Sequence, residues 1–181
     1  MAFAKLFSLL FPLLGIFFLA THPTLTSAEN TEDLINKICR SVEEFGFCKQ
    51  TFMENLLSPE ADIVDLTHIT ILQSSNNATN TLDFIRNLVA NATDEGLMNA
   101  LVECENAYRL VAGSFQNAFV SFTQKDYDGV LVYERGTPRV QASCATTFDT
   151  PPNPFNPLVD RNRQMRILIT MAVVSATELT S

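Results

Sequence analysis

The chain has no tryptophan and only three tyrosines, six glycines and two histidines among 181 residues. Each scarcity closes off a class of chemistry. With so few glycines there is no glycine-rich loop to bring backbone N–H groups onto a phosphate, and Gly113-Ser114 is not a nucleophile elbow. His22 falls within residues 1–28, an N-terminal leader expected to be removed. That leaves His68 to serve any Ser/His/Asp or Cys/His arrangement, with no nucleophile in a strained turn nearby. CxxC spacing is missing, and histidine nearly so, which argues against a zinc site. Acidic pairs do occur, at Glu43-Glu44, Glu103 with Glu105 and Asp126 with Asp128, but chance supplies such pairs in so acidic a chain. The expectation is a protein that is not an enzyme and holds neither cofactor nor metal.

Positive charge is scarce too. The leader contains one basic residue, Lys5; without it 11 basic residues face 20 acidic ones, a net charge of −9. A surface of that sign repels phosphate backbones, so no nucleic-acid partner is expected. Arg161, Arg163 and Arg166 form the nearest thing to a basic patch, and at helical spacing they read as a solvated face.

The leader itself pairs Lys5 with an apolar run from Leu6 to Ala20, interrupted by Pro12 and Gly15, and ends in the small residues Thr26-Ser27-Ala28. This is the layout of a signal peptide spanning residues 1–28. The run falls short of the roughly 20 apolar residues a membrane span needs, so no membrane partner is expected. A secreted product follows, and Asn77-Ala78-Thr79 and Asn91-Ala92-Thr93 are then candidate N-glycosylation triplets at Asn77 and Asn91.

Period-2 alternation is scarce, whereas apolar residues recur every three or four positions through most of the chain. The fold expected is all-α. Residues 29–58 read as short helices: Thr31 as N-cap of the first, with Leu34 and Ile38 on one side, then a capping-box spacing at Ser41 and Glu44, after which Gly46 interrupts the helical pattern. Ser58-Pro59 signals a restart. From about Glu60 to Asn91, Val64, Ile71, Ala78, Ile85 and Ala92 fall at sevenfold intervals, with a polar Gln73 to Asn80 stretch that invites a kink or break. Leu97, Leu101, Cys104, Tyr108, Val111, Phe115, Ala118 and Phe122 then step by threes and fours along one wide face. A third segment, Tyr127 to Phe148, places Val130, Tyr133, Val140, Cys144 and Phe148 on a helical face and must kink or restart at Gly136-Thr137-Pro138, with Thr137 as cap. After the stiff connector Pro151 to Pro157, a last helix from about Asp160 to Leu179 presents Met165, Leu168, Ile169, Ala172, Val173 and Ala176. Four amphipathic helices on short connectors close most economically as an antiparallel up-down-up-down four-helix bundle, here over residues 59–181, making one domain with the N-terminal helical hairpin.

The four cysteines, Cys39, Cys48, Cys104 and Cys144, allow three pairings, among which sequence alone does not choose. Geometry constrains one of them. A continuous helix would hold Cys39 and Cys48 about 13 Å apart, whereas a disulfide tolerates no more than about 7 Å. Joining these two therefore requires a helical hairpin. Cys104 would then pair with Cys144 across neighbouring antiparallel helices.

These features, with the stretches Ala100-Leu101-Val102-Glu103-Cys104-Glu105-Asn106-Ala107-Tyr108, Asp126-Tyr127-Asp128-Gly129-Val130, Ser143-Cys144-Ala145-Thr146-Thr147-Phe148 and Pro157-Leu158 through Arg161-Asn162, carry a resemblance. The chain resembles the plant invertase and pectin methylesterase inhibitor family over nearly all of Glu29 to Leu179. The resemblance implies a four-helix bundle with an N-terminal hairpin, first-to-second and third-to-fourth cysteine pairing, and action as a proteinaceous inhibitor in the plant cell wall or apoplast. It implies a target enzyme as partner, pectin methylesterase or acid invertase, blocked by occlusion of its cleft. In the invertase-directed members a Pro-Lys-Phe triplet follows the Asp in the loop between the second and third bundle helices; the matching positions here are Tyr127, Asp128 and Gly129. That departure removes a cation suited to an acidic sugar-binding cleft and tilts the expectation toward pectin methylesterase. A second departure is Gly136-Thr137-Pro138, in place of a small-residue helical stretch. Lys125, Asp126, Tyr127 and Asp128 are the candidate contact residues. Tyr127 is either an interface anchor or a core tyrosine closing the bundle end. A reading of another class, an extracellular carrier of a small ligand in the bundle interior, would need small residues facing one another, where Phe115, Phe119, Phe122 and Phe148 stand ready to fill the space.

Overall fold

Four helices start under the same device, a short acidic or amide side chain accepting from the backbone N–H three residues on. Asn30, Asp62, Asp94 and Asp126 cap α1 (Thr31–Cys39), α3 (Ile63–Asn91), α4 (Glu95–Thr123) and α5 (Tyr127–Arg135) in this way. Completing the order are α2 (Phe45–Asn55), α6 (Thr137–Thr147) and α7 (Val159–Leu179). The computed structural model describes residues 30–149, 151 and 154–181. The leader read at residues 1–28 and part of the Pro151 to Pro157 connector lie outside the described residues. Among the described residues every regular element is helical.

The bundle closes as a ring in which α3 packs on α4, α4 on α5 and α6, these on α7, and α7 back on α3. Consecutive members run antiparallel, and α5 with α6 acts as one broken rod. The interior is filled by Leu66, Ile71, Ile85, Leu101, Tyr108, Phe115, Met165 and Ile167, each fully buried. The α4 face matches its reading: Leu101, Cys104, Tyr108, Val111, Phe115 and Ala118 are buried, with Leu97 and Phe122 half-buried at its ends. Of the four phenylalanines expected inside, Phe115 and Phe148 are buried; Phe119 is exposed, and Phe122 is half-buried against His68.

Several local readings are corrected. Thr31 is the first helical residue rather than the cap, and its hydroxyl instead donates to Ala61 O, 2.7 Å away, tying the hairpin to the start of the bundle. The Ser41/Glu44 capping box does not form, because α2 starts at Phe45 and the Glu44 carboxylate is engaged by Arg163. Gly46, expected to interrupt, lies within α2. Ser58-Pro59 does not restart the chain as a helix. Ser58 Oγ accepts from Glu60 N in a short turn, and a capping box between Asp62 and Asp65 starts α3 instead. The polar middle of α3 does not break the helix, since its side chains bond across helices rather than to their own backbone: Gln73 Nε2 donates to Asn55 Oδ1 at 2.7 Å and Ser74 Oγ to Leu168 O at 3.3 Å.

The break at Gly136 is real, although Thr137 is its first helical residue and not the cap. Its hydroxyl donates back to Glu134 O at 2.7 Å, bridging the joint. The buried positions continue in phase through it, as Val130, Glu134, Thr137, Gln141, Cys144 and Phe148. Tyr133, expected on that face, is instead exposed, and Glu134 takes the inward place.

Two disulfides are present. Cys39 joins Cys48 with Cα atoms 5.5 Å apart across the α1–α2 hairpin, and Cys104 joins Cys144 with Cα atoms 4.4 Å apart between α4 and α6.

Candidate functional site

The turn between α4 and α5 is built from the residues singled out as contacts. Helix α4 ends in a Schellman arrangement: Lys125 N donates to Phe122 O at 3.0 Å and Asp126 N to Ser121 O at 2.9 Å. That geometry requires a left-handed residue after the cap, and the residue is Lys125 at φ 59°. A glycine would adopt it freely; a lysine does so at a cost. Asp126 then caps α5 through Gly129 N at 3.0 Å. A Cβ added at Gly129 would fall 2.1 Å from Asp126 Oδ2 and 2.7 Å from Ser121 Oγ, so the fold of this turn demands glycine there.

The outcome is a tight, rigid corner with Lys125, Asp126 and Asp128 exposed and Tyr127 half-buried. The Tyr127 ring leans on Phe122, 6.0 Å between centroids and tilted by 50°. Phe122 in turn stacks on His68 at 5.1 Å, and Phe119 flanks the same imidazole at 5.9 Å. His68 is thus an aromatic packing element between α3 and α4. A surface cleft lined by Lys125 to Asp128 and by Leu179 and Thr180 brings the end of α7 beside the corner.

Above that corner α4 is uncharged from Leu110 to Gln124. Leu110, Gln116, Asn117, Phe119, Val120 and Thr123 on this stretch are exposed, Leu110 by 61% and Val120 by 51%. Val132, on the adjoining α5, is 71% exposed. In a chain so rich in acid, an uncharged helix face with bare aliphatics is the part of the surface best suited to meet another protein.

Elsewhere the polar groups serve architecture. Asn162, within the last of the stretches that carry the resemblance, is buried and accepts from Tyr108 Oη at 2.9 Å, while Gln141 Nε2 reaches both its Oδ1 and its backbone O at 3.3 Å. Burial pushes the Tyr108 phenol well above its ordinary value, more than the Gln141 hydrogen bond and the Arg161 charge lower it. The three arginines read as a solvated face are in fact engaged. Arg161 lies over the Phe84 ring at 4.2 Å, Arg163 pairs with Glu44, and Arg166 grips Glu43 at 2.7 Å, so the last two fasten the hairpin to α7. The Glu44 hydrogen bond and charge raise the Arg163 guanidinium further. Sequence reasoning missed Glu134, Gln141 and Asn162 because polar residues are assigned to the surface by default. The unbroken helical phase through 130, 134, 137, 141, 144 and 148 was the signal that could have placed the first two inside.

Asn91 stands exposed at the end of α3, and Asn77 is half-buried in its middle. Among the described residues no cluster of His, Cys, Asp and Glu could hold a metal ion, and no helix is long and apolar enough to cross a membrane.

Residues 33–176 match the family described as plant invertase/pectin methylesterase inhibitor. A "cell wall / vacuolar inhibitor of fructosidase 2" of Arabidopsis thaliana is 25% identical over 169 residues, covering 93% of this chain and 94% of that one. A "pectinesterase inhibitor" of Actinidia deliciosa is 27% identical over 155 residues, 84% of either chain. Among solved structures, a mutant form of a pectin methylesterase inhibitor from Arabidopsis superposes with a TM-score of 0.70 at 17% identity, over 79% of this chain and 95% of that one. A second pectin methylesterase inhibitor from Arabidopsis thaliana gives 0.61 at 17% identity, over 82% and 97%. A single family match that takes in both disulfides and reaches from α1 into α7, together with a shared bundle fold, means that this chain belongs to the plant invertase/pectin methylesterase inhibitor family.

Proposed function

We propose that the protein is a secreted inhibitor of a plant cell-wall carbohydrate-active enzyme, and that its target is pectin methylesterase. Membership of the family over residues 33–176 is the observation that carries the inhibitor reading. Inhibition of this kind needs no chemistry from the inhibitor. A rigid surface that fills the cleft of the enzyme suffices, and a bundle clasped by two disulfides loses little freedom on docking.

The contact region we assign is the α4–α5 corner, Lys125 to Asp128, with the uncharged outer face of α4 beside it. Backbone strain retained at Lys125 supports the choice, because a glycine would hold the turn more cheaply and a lysine offers a cation at its tip. Choice of target rests on the residues after Asp126: Tyr127, Asp128 and Gly129 add an aromatic ring and a second carboxylate where an acidic sugar cleft would favour a cation. The second reading, inhibition of acid invertase, is favoured by the relative named for fructosidase inhibition, 94% of whose length the match covers.

Titration of the oxidised protein into a purified plant pectin methylesterase and, in parallel, an acid invertase separates the two. Stoichiometric loss of esterase activity with invertase unaffected is the expected result. Invertase inhibition alone would transfer the assignment, and full activity of both enzymes at saturating inhibitor would sink it.

A further inference from the structure

The two acceptor triplets sit in opposite surroundings, and we propose that the N-linked glycan is carried by Asn91 while Asn77 stays unmodified. A glycan is bulky and solvated, so its asparagine must stand clear of packed structure in the finished fold. Asn77 does not. It lies mid-way along α3, next to the fully buried Ala78, and lines the cleft between α2 and α3 together with Phe47, Thr51, Asn55 and Leu168. Its Oδ1 is sealed from solvent without a hydrogen-bond partner. Seating a sugar there would push α2 off α3, separate Gln73 from Asn55, now 2.7 Å apart, and load the hairpin that the Cys39–Cys48 disulfide closes.

Asn91 has none of these obligations. It is exposed and is the last residue of α3, and the remainder of its triplet has already left the helix: Ala92 is extended at φ −71° and ψ 129°, and Thr93 is exposed ahead of the Asp94 cap. One local bond holds its side chain, Nδ2 donating to Asn87 O at 2.6 Å on the surface. Releasing that bond costs little, because water takes over from an exposed partner. The triplet thus runs from the end of α3 into the short linker before α4, where the extended backbone at Ala92 and the exposed Thr93 leave it open to solvent.

The test is production of the full chain in plant cells that secrete it, as wild type, Asn77→Gln and Asn91→Gln, followed by intact mass and peptide mapping after glycosidase treatment. One glycan on the wild type, retained in Asn77→Gln and lost in Asn91→Gln, with the Asn-to-Asp conversion at residue 91, is the expected pattern. Conversion at residue 77, or a secreted product carrying no glycan at all, overturns the proposal. Mass is read without any target enzyme, so the result stands apart from the inhibition assay.

Discussion

At the scale of single residues, the α4–α5 corner separates stability from binding. Gly129 is packed against the carboxylate that caps α5, so Gly129→Ala must either displace Asp126 or open the first turn. Loss of a cap costs about 1–2 kcal/mol, and a chemical melt should show the midpoint falling with unchanged slope. Lys125→Gly should act in the opposite direction. Relief of a left-handed lysine, partly offset by glycine's larger entropy loss, should stabilise the fold by about 0.5–1 kcal/mol. If Lys125 is held there for contact, the same variant should inhibit less well than wild type while melting later. Unchanged inhibition by a more stable Lys125→Gly protein would remove Lys125 from the proposed contact region.

Among the elements, legibility divides along one line. Helix α4 could be read from its sequence because its inward positions are apolar almost throughout, and a period of three and four is visible whenever burial and hydropathy agree. The start of α3 could not. Ser58-Pro59 and Asp62 with Asp65 are both acceptable start signals, and the choice fell to Thr31, whose hydroxyl holds Ala61 O and so keeps residues before Asp62 in the loop. The Ser41/Glu44 signal failed for a similar reason, since its glutamate serves Arg163 on a helix more than a hundred residues away. Local signals lose wherever a distant partner claims the same side chain. Of the contact corner, the residues were legible as a polar turn, but the left-handed Lys125 was not, because lysine gives no sign of that conformation. The two clasps differ in the same terms. The chain-entropy relation gives about 2.7 kcal/mol for the hairpin disulfide and about 3.9 kcal/mol for the one joining α4 to α6. Replacing Cys104 and Cys144 together by serine should therefore lower the unfolding free energy more than replacing Cys39 and Cys48, and should loosen the broken rod first. Hydrogen exchange resolved by peptide would check this: fast exchange in α1 and α2 of the Cys104/Cys144 variant, with α6 still protected, would contradict it.

For the molecule as a whole, one inward side chain adds its own pH dependence to stability. Both Glu134 carboxylate oxygens are buried without a hydrogen-bond partner. The elements packed on α5 bring it little charge: α4 carries none between Arg109 and Lys125, α7 none between Arg166 and Glu178, and α6 only Arg139, which is exposed. On α5 itself Asp128, Tyr133 and Arg135 face solvent. Burial alone therefore pushes the Glu134 carboxyl from its ordinary value of 4.5 up to about 8. The direction of the linkage follows. Below pH 4.5 the group is protonated in both folded and unfolded chains and takes nothing from stability. As pH rises, the unfolded chain ionises first, so folding binds a proton and stability declines until the folded carboxyl also ionises near pH 8. A shift of this size corresponds to a loss on the order of 5 kcal/mol across that window, a large share of what a domain of this length possesses. A fold that is more stable at acidic than at neutral pH is the expected consequence. Denaturant melts at pH 5 and pH 8 on wild type and Glu134→Gln isolate the contribution, because general self-repulsion of the acidic surface is common to both. The wild type should lose several kcal/mol more than the variant between the two conditions. Parallel losses in the two proteins would show that Glu134 is not kept protonated in the fold, and would trace the pH dependence to the surface charge instead.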